Sequence, residues 1–556
     1  MDKKGLSLST PLKMQKKFEI NILFGGQAGD GIRQLGTLWA KLLAKRGLYV
    51  FLYDDYPSLI RGGHNFSIVR AANYPVETHK DQVDLIVALD LETINRHHHH
   101  LSEKGFILSE GKTSQGFSLP WSKTVKEAGV PRIMKNTVAL GSLAKFCGIS
   151  FEELSQVVKK LPQAEKNLEM AQKGYNLIPQ TISLPSLPEE KRFLFYGNEA
   201  IALGAVAAGL KFYIAYPMTP ASSILHYLAA RRETFGVNVI HPENEIAAVL
   251  AALGSAYTGS PAMVGTSGGG FALMVEALSL SAQAEIPITF VECQRPGPST
   301  GVPTYTMQGD LEFVLHAGHG EFPRVVLAPG DAFQAFYLTA LALSLAWRYQ
   351  IPTFILSDKH LSESLFCQNL PEKIPQISYK KWHKKDEYQR YSFEEDGISP
   401  LAFPGDKRAV VKATSYEHDP FGITTEEAEM IARMQAKRLK KENLLLQETE
   451  KLLETKGPER VPALVCWGSS KGAVQEVCKA LGLRFIQPLV LRPFPKRALE
   501  KALAPASKVI VCETNATGQL AKLLKYHDLE VDEVILRYDG RPFTTDSLKK
   551  KVEPLI

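Results

Sequence analysis

The chain has 556 residues, 45% of them hydrophobic and 22% charged, with 65 Lys and Arg against 59 Asp and Glu. These ordinary globular values exclude a largely disordered or fibrous chain, and the length predicts about three or four domains. A net charge of +6 is too thin over this length for a nucleic-acid binder, and the longest clean apolar stretches, near 200–210 and 336–347, fall short of the ~20 residues of a membrane span.

The opening MDKKGLSLSTPLKMQKK has no apolar leader core, so secretion is not expected and a cytoplasmic location is. Residues 18–24, FEINILF, read as a buried strand. A glycine-rich turn follows, Gly25-Gly26-Gln27-Ala28-Gly29-Asp30-Gly31, and then a helix over 32–46 with Ile32, Leu35, Leu38, Trp39, Leu42 and Leu43 at helical spacing. Residues 49–53 and 83–89 read as further strands. Strands alternating with helices predict a parallel sheet with crossover helices. Strand, glycine turn and helix together aim backbone N–H groups and a helix N-terminus at a phosphate position. The spacing is GGxxGxG, and Asp54 and Asp55 stand where a dinucleotide-binding fold holds a ribose. An NAD site is therefore one reading, and a turn needed only to pack helix on strand is another. The GDG at 29–31 is rejected as a thiamine-type metal motif, because the asparagine it requires comes only at Asn65. His97–His100 read as an exposed helix end. This first unit spans 1–185, and QTISLPSLPEEKR at 180–192 reads as a linker.

A second α/β unit over 190–370 has predicted strands at 212–215, 239–241, 262–266, 288–292, 325–328 and 353–356. The first ends in Tyr216-Pro217-Met218-Thr219-Pro220. Two prolines fix φ and remove two donors, so the turn is rigid and Thr219 is a preset hydroxyl at a strand's carboxyl end. The alternative is a loop stop with a solvated threonine. Next, HPENEIAAVLAALGSAYTG puts Glu243 and Glu245 where a strand gives way to an apolar and hence buried helix. Either acid is a candidate desolvated carboxylate, with plain N-capping as the alternative. Residues 371–404 are polar and irregular and read as a surface excursion. Residues 424–456 read as a charged amphipathic helix, with KRLKK at 437–441 on a solvated face. A third α/β unit covers 457–556. The six cysteines include no CxxC pair, so an iron–sulfur cluster or structural zinc lacks its local ligand spacing, and buried reduced thiols are expected.

Several segments together carry a family resemblance. GGQAGDGIRQLGTLWAKLLAKRGLYV with Arg61-Gly62-Gly63 looks like the gamma module of 2-oxoacid:ferredoxin oxidoreductases. GNEA at 197–200, YPMTPAS, ENEIAA, GTSGGGF at 265–271 and QRPGPSTGVPT resemble the alpha subunit of the same family in order and spacing. So do GHGEFPRVVLAPGD, YEHDPFGITTEE, WGSSKGAV, LRPFP and ETNATGQLAKLL. The resemblance runs from residue 18 to about 545, with gamma fused ahead of alpha.

That resemblance implies three α/β units with mostly parallel sheets: a gamma domain, a thiamine pyrimidine-binding domain and a transketolase C-terminal-like domain. It implies that Glu245 contacts the aminopyrimidine of thiamine diphosphate, with Tyr216 and Pro217 beside the cofactor and Glu243 as the less favoured acid. Arg295 and Thr304 would grip the 2-oxoacid carboxylate, with Thr219 between ring and substrate. A surface ion pair (Arg295) and a turn hydroxyl (Thr304) are the plainer alternatives. A separate beta subunit would bring Mg2+, the diphosphate site and a [4Fe-4S] cluster. Coenzyme A would be co-substrate, ferredoxin the electron partner and (αβ)2 the assembly. The turn at Gly25, Gly26, Gly29 and Gly31 is a candidate for part of coenzyme A. The substrate expected from PSTGVPT and GHGEFPR is 2-oxoglutarate, with pyruvate or a branched-chain 2-oxoacid as alternatives. His316 and His319 are candidates for its distal carboxylate, or satisfied structural histidines.

Overall fold

Glu19–Gln27 is buried along nearly its whole length and sits inside an eight-stranded sheet. The computed structural model describes residues 17–58, 63–188, 192–383 and 387–556, so the opening 16 residues and Arg61-Gly62 lie outside the described residues. Glu19–Gln27 runs parallel to Val83–Ala88 but antiparallel to His64–Ala72, which is also antiparallel to Tyr49–Asp55. The first sheet is therefore mixed where the sequence pattern predicted it parallel. Parallel pairing needs a crossover of a dozen or more residues, and positions 56–63 are too few. Gly25 and Gly26 belong to the strand, opposite Phe66 and Asn65, so the turn itself is only Ala28–Gly31.

Two strands of the second unit complete this sheet. Leu365–Gln368 pairs antiparallel with Tyr49–Asp55, and Phe193–Tyr196 pairs with Leu365–Gln368 in turn. The segment before them is fastened down rather than free: the Ile182 and Leu184 amides donate to the Phe146 and Cys147 carbonyls. The Arg46 guanidinium donates to the Leu184 carbonyl at 2.9 Å.

The second sheet has seven strands, in the order Val490–Arg492, Val325–Leu327, Pro352–Asp358, Ile288–Gln294, Ala262–Thr266, Phe212–Ile214 and Asn238–Ile240. All pairs are parallel except the edge strand Val490–Arg492, contributed by the third unit. Near-continuous apolar strands flanked by alanine-rich helices are what a sheet covered on both faces requires. Helix Ala332–Tyr349 lies so close to helix Gly197–Ala208 that a side chain at Gly204 would collide with the Phe336 carbonyl. The third sheet, of five strands, holds Ala463–Val465 and Val509–Glu513 at its centre, with Leu453–Lys456 as its antiparallel edge.

The stretch 371–456 corrects two expectations. Residues 371–404 are irregular, yet Trp382, Tyr388, Arg390 and Tyr391 are buried. Arg390 reaches into the second unit to the Glu285 carbonyl at 2.7 Å and Gln350 Oε1 at 3.0 Å. Helix Ala428–Thr449 buries Lys437, Arg438 and Lys441, so KRLKK is not a solvated face. Lys437 Nζ lies 2.6 Å from Glu285, Lys441 pairs with the same carboxylate, and Arg438 grips Glu417. Among the described residues, no helix is long and apolar enough to cross a membrane.

Candidate active site at the carboxyl edge of the second sheet

The Tyr216–Pro220 turn is held from beneath. Asn198, fully buried in the first turn of helix Gly197–Ala208, donates to the Pro220 carbonyl at 2.9 Å and to Ser223 Oγ at 2.8 Å. Glu199 accepts the Tyr196 amide, closing the helix start. Tyr216 is left exposed with its ring edge-on to His241, and Pro217 and Thr219 are half-buried.

Glu245 is the first residue of helix Glu245–Tyr257, whose N-cap is Asn244; the Asn244 side chain accepts the Ala247 amide at 2.9 Å. The capping role expected as the alternative for the acids therefore falls to Asn244. Glu245 is 4% exposed, and its Oε1 has no hydrogen-bond partner among the described residues. Glu243 is exposed. Gly270 packs directly against Glu245 and Thr266: a Cβ there would stand 2.7 Å from Glu245 Oε1 and collide with Thr266 Oγ1. Thr266 Oγ1 in turn lies 4.0 Å from Met218 Sδ. Glu245, Thr266 and the Tyr216–Pro220 turn thus form one wall.

Arg295 closes it. Its Nη1 donates to the Thr219 carbonyl at 2.8 Å, so the two residues expected to meet substrate are joined. Burial lowers the guanidinium pKa from its usual value. The loop after it folds back on itself through the Val302 amide to the Pro296 carbonyl at 3.0 Å, with Gly301 at φ 53° where a side chain would strike that carbonyl. Thr304 is buried with its Oγ1 unpartnered among the described residues.

Three polar residues here escaped the sequence reading. Glu292 lies on strand Ile288–Gln294 opposite Thr266; it is fully buried, and neither carboxyl oxygen has a partner among the described residues. Burial, with the Asp310 and Asp358 carboxyls beside it, pushes its pKa well above the usual range. Burial also pushes Asp310 up to about 6, against the pull of Arg295. The Ser267 hydroxyl is likewise buried and unpartnered. A lone acid inside the apolar ITFVECQ gave the sequence no signal beyond its own incongruity.

The glycine turn is elsewhere, in the first unit. Gly29, at φ 97°, borders open space, and Gly31, at φ 75°, caps helix Ile32–Lys45 against Asn136. Asp30 is buried between them and paired with Arg132 at 3.3 Å and Lys135 at 3.6 Å. The acids that an NAD site would use are occupied: Asp54 pairs with Arg33 at 3.2 Å and Asp55 with Arg541 at 2.9 Å. His98 and His99 are exposed as expected, but His97 is buried with its Nε2 2.9 Å from His64 Nε2. His316 and His319 are exposed, and His316 lines a cleft with Arg492, Phe494 and His527 rather than the Arg295 loop. The six cysteines are buried and free.

Around this wall the surface is apolar. Ile246 and Leu250 on the Glu245 helix, Leu273 on the next, Ile240, Tyr216 and Val302 are exposed by 37–51%. Ile246 and Leu250 stand on the same helix as Glu245.

Comparison with known proteins agrees with this geometry. Residues 203–437 match the family described as pyruvate flavodoxin/ferredoxin oxidoreductase, thiamine diphosphate-binding. Residues 21–177 match the family described as pyruvate ferredoxin/flavodoxin oxidoreductase. The 2-oxoacid:ferredoxin oxidoreductase subunit alpha of Saccharolobus solfataricus is 30% identical over 97% of this chain and 98% of its own. The 2-oxoglutarate oxidoreductase subunit KorA of Mycobacterium tuberculosis is 27% identical over 96% and 91%. A solved 2-oxoglutarate:ferredoxin oxidoreductase from Magnetococcus marinus, with 2-oxoglutarate, coenzyme A and succinyl-CoA bound, superposes with a TM-score of 0.89 at 31% identity, covering 97% of this chain and all of that one. The α/β architecture, the two family matches and the relatives that span nearly its whole length lead to one assignment: the chain belongs to the alpha subunits of the 2-oxoacid:ferredoxin oxidoreductases.

Proposed function

We propose that this chain, with a beta subunit, carries out the coenzyme A-dependent oxidative decarboxylation of 2-oxoglutarate to succinyl-CoA, reversibly, passing electrons to ferredoxin. The observation that carries the reading is Glu245: a buried carboxylate whose Oε1 has no hydrogen-bond partner among the described residues, with glycine at position 270 packed against it. An aminopyrimidine ring nitrogen fits that oxygen, because a buried acceptor left without a donor is costly. Thiamine diphosphate, when bound, supplies the electron sink that lets a 2-oxoacid lose CO2. Glu245 holds the proton shared with the ring nitrogen. Tyr216 and Pro217 border the ring. Arg295, half-buried, takes the substrate carboxylate in its fork, and Thr304 donates its unpaired hydroxyl. Thr219, tied to Arg295 through its carbonyl, keeps ring and substrate in register.

The apolar rim around Glu245 supports a partner chain closing the site. Mg2+, the diphosphate contacts and a [4Fe-4S] cluster are assigned to that partner, in an (αβ)2 assembly located in the cytoplasm. The turn at Gly29 and Gly31, open at Gly29 and continuing Gly25 and Gly26, is assigned to coenzyme A. The unit limits proposed are 1–185, 190–370, 371–456 and 457–556. The 2-oxoglutarate preference is supported by the M. marinus and M. tuberculosis relatives; the family descriptions keep pyruvate in view as the second reading.

The test is reconstitution. The chain purified alone should carry neither thiamine nor brown iron colour, and the complex with its partner should carry both. A panel of 2-oxoacids with viologen as acceptor should give the highest kcat/KM for 2-oxoglutarate. Strong turnover by the chain alone, or a preference for pyruvate, refutes the corresponding part.

A further inference from the structure

Glu292 has no place in the proposed mechanism, yet it stands at the centre of its polar wall. It is on strand Ile288–Gln294, which Arg295 directly follows, and lies beside Thr266, the threonine that borders Glu245. Neither oxygen has a partner among the described residues, and its exposure is 0%. A carboxylate in that condition would be extremely costly, because an isolated buried charge loses its whole hydration. Native interiors rarely leave such a group without a use.

The groups facing it come from each packed element. Asp358 from strand Pro352–Asp358 and Asp310 from the start of helix Leu311–His316 are carboxyls; Arg295 is the cation that bears on it. Arg295 feels both Glu292 and Asp310. Two buried acids, Glu292 and Asp358, thus stand near two half-buried groups, Asp310 and Arg295, although the Asp358 oxygens are taken by Thr306, Ser469 and the Leu361 amide. Were Glu292 ionised, it would draw the guanidinium to itself, and a carboxylate ligand would have to compete for the same charge.

We propose that Glu292 is a positioning residue kept as the neutral acid, so that it adds no further negative charge to the one Asp310 already sets near Arg295 and leaves the guanidinium to the carboxylate of the 2-oxoacid. The inference rests on the assignment of Arg295 to that carboxylate. Ionisation of Glu292 at high pH then sets a further negative charge against Arg295 and weakens its hold on the substrate carboxylate. The sign follows directly: the acid is neutral below its own raised pKa, so substrate affinity is full there and falls as pH rises past it. Asp310, which ionises at about 6, sets the lower end of the response. Comparison well above that value keeps Asp310 ionised and isolates Glu292.

The experiment uses the assembled enzyme. An infrared difference spectrum between wild type and Glu292→Gln at neutral pH should contain the carbonyl stretch of a protonated carboxylic acid lost in the variant. Steady-state kinetics from pH 7 upward should show the wild-type KM for the 2-oxoacid climbing by about tenfold, the worth of one charge-assisted contact, while in Glu292→Gln it stays level. A carboxylate band in place of the acid band overturns the proposal. So do superimposable KM curves, or a variant that loses kcat equally at every pH, the mark of a merely structural role. Arg295→Ala separates this from the underlying assignment: if its KM for 2-oxoacids is unchanged, Arg295 is not the carboxylate grip, whatever Glu292 does.

Discussion

Glu285 and Glu292 lie seven positions apart, both with essentially no solvent exposure, and they live in opposite circumstances. Glu285 sits under the 371–456 stretch, where Lys437 and Lys441 each reach one of its oxygens and Arg390 takes its carbonyl. Those cations hold its pKa far below the usual range despite burial. Glu292, at the sheet's carboxyl edge, meets other acids and one arginine and is driven the other way. Glu245 shares that edge with an oxygen equally unpaired. The contrast separates two uses of a buried acid. A saturated one fastens a segment; an unsaturated one waits for a ligand.

The sharpest break of that contrast is Glu245→Gln. It preserves shape and removes the acid, and should lower kcat of the assembled enzyme by about 10²–10⁴-fold, measured by viologen reduction, with the melting profile unchanged. An unaltered rate would mean that the empty oxygen at 245 has no catalytic use. Next comes Glu285→Ala, which strands two buried lysines and should cost about 3–5 kcal/mol of local stability. Faster proteolytic cleavage within 371–456, with the other units still protected, is the expected readout. pH sharpens the same point. Glu285 is lowered in the fold, so its contribution is present above the ordinary carboxylate range, about pH 4.3, and lost as pH falls below it. Docking of 371–456 should therefore loosen only in acid, where Glu292, raised by its burial, stays neutral. The smallest effect belongs to Lys440→Ala. Lys440 shares the KRLKK run but is exposed, and its change should stay within about 0.5 kcal/mol in a thermal scan.

What the sequence disclosed follows the range of the forces involved. The rigid turn at Tyr216–Pro220 and the apolar helix behind Glu245 are local patterns, and both stand where the residues placed them. Helix Ala428–Thr449 was legible from its period, but its buried face was not. Lys437 is committed by an acid 152 positions away, and no window on the helix contains that partner. The antiparallel half of the first sheet was hidden in the same manner, because pairing direction depends on how much chain separates two strands rather than on their composition. Glu292 was overlooked because one acid does not disturb an otherwise apolar strand period. Arg295 and Thr219 were read separately, and their shared hydrogen bond exists only in the fold.

The two strands that Phe193–Tyr196 and Leu365–Gln368 lend to the first sheet bind its fate to the rest of the chain. A protease cut in the 180s would break the peptide and release neither piece, since the ladder along Tyr49–Asp55 would still zip them together. An amino-terminal fragment made alone would instead present that bare strand to whatever it met and be prone to self-association.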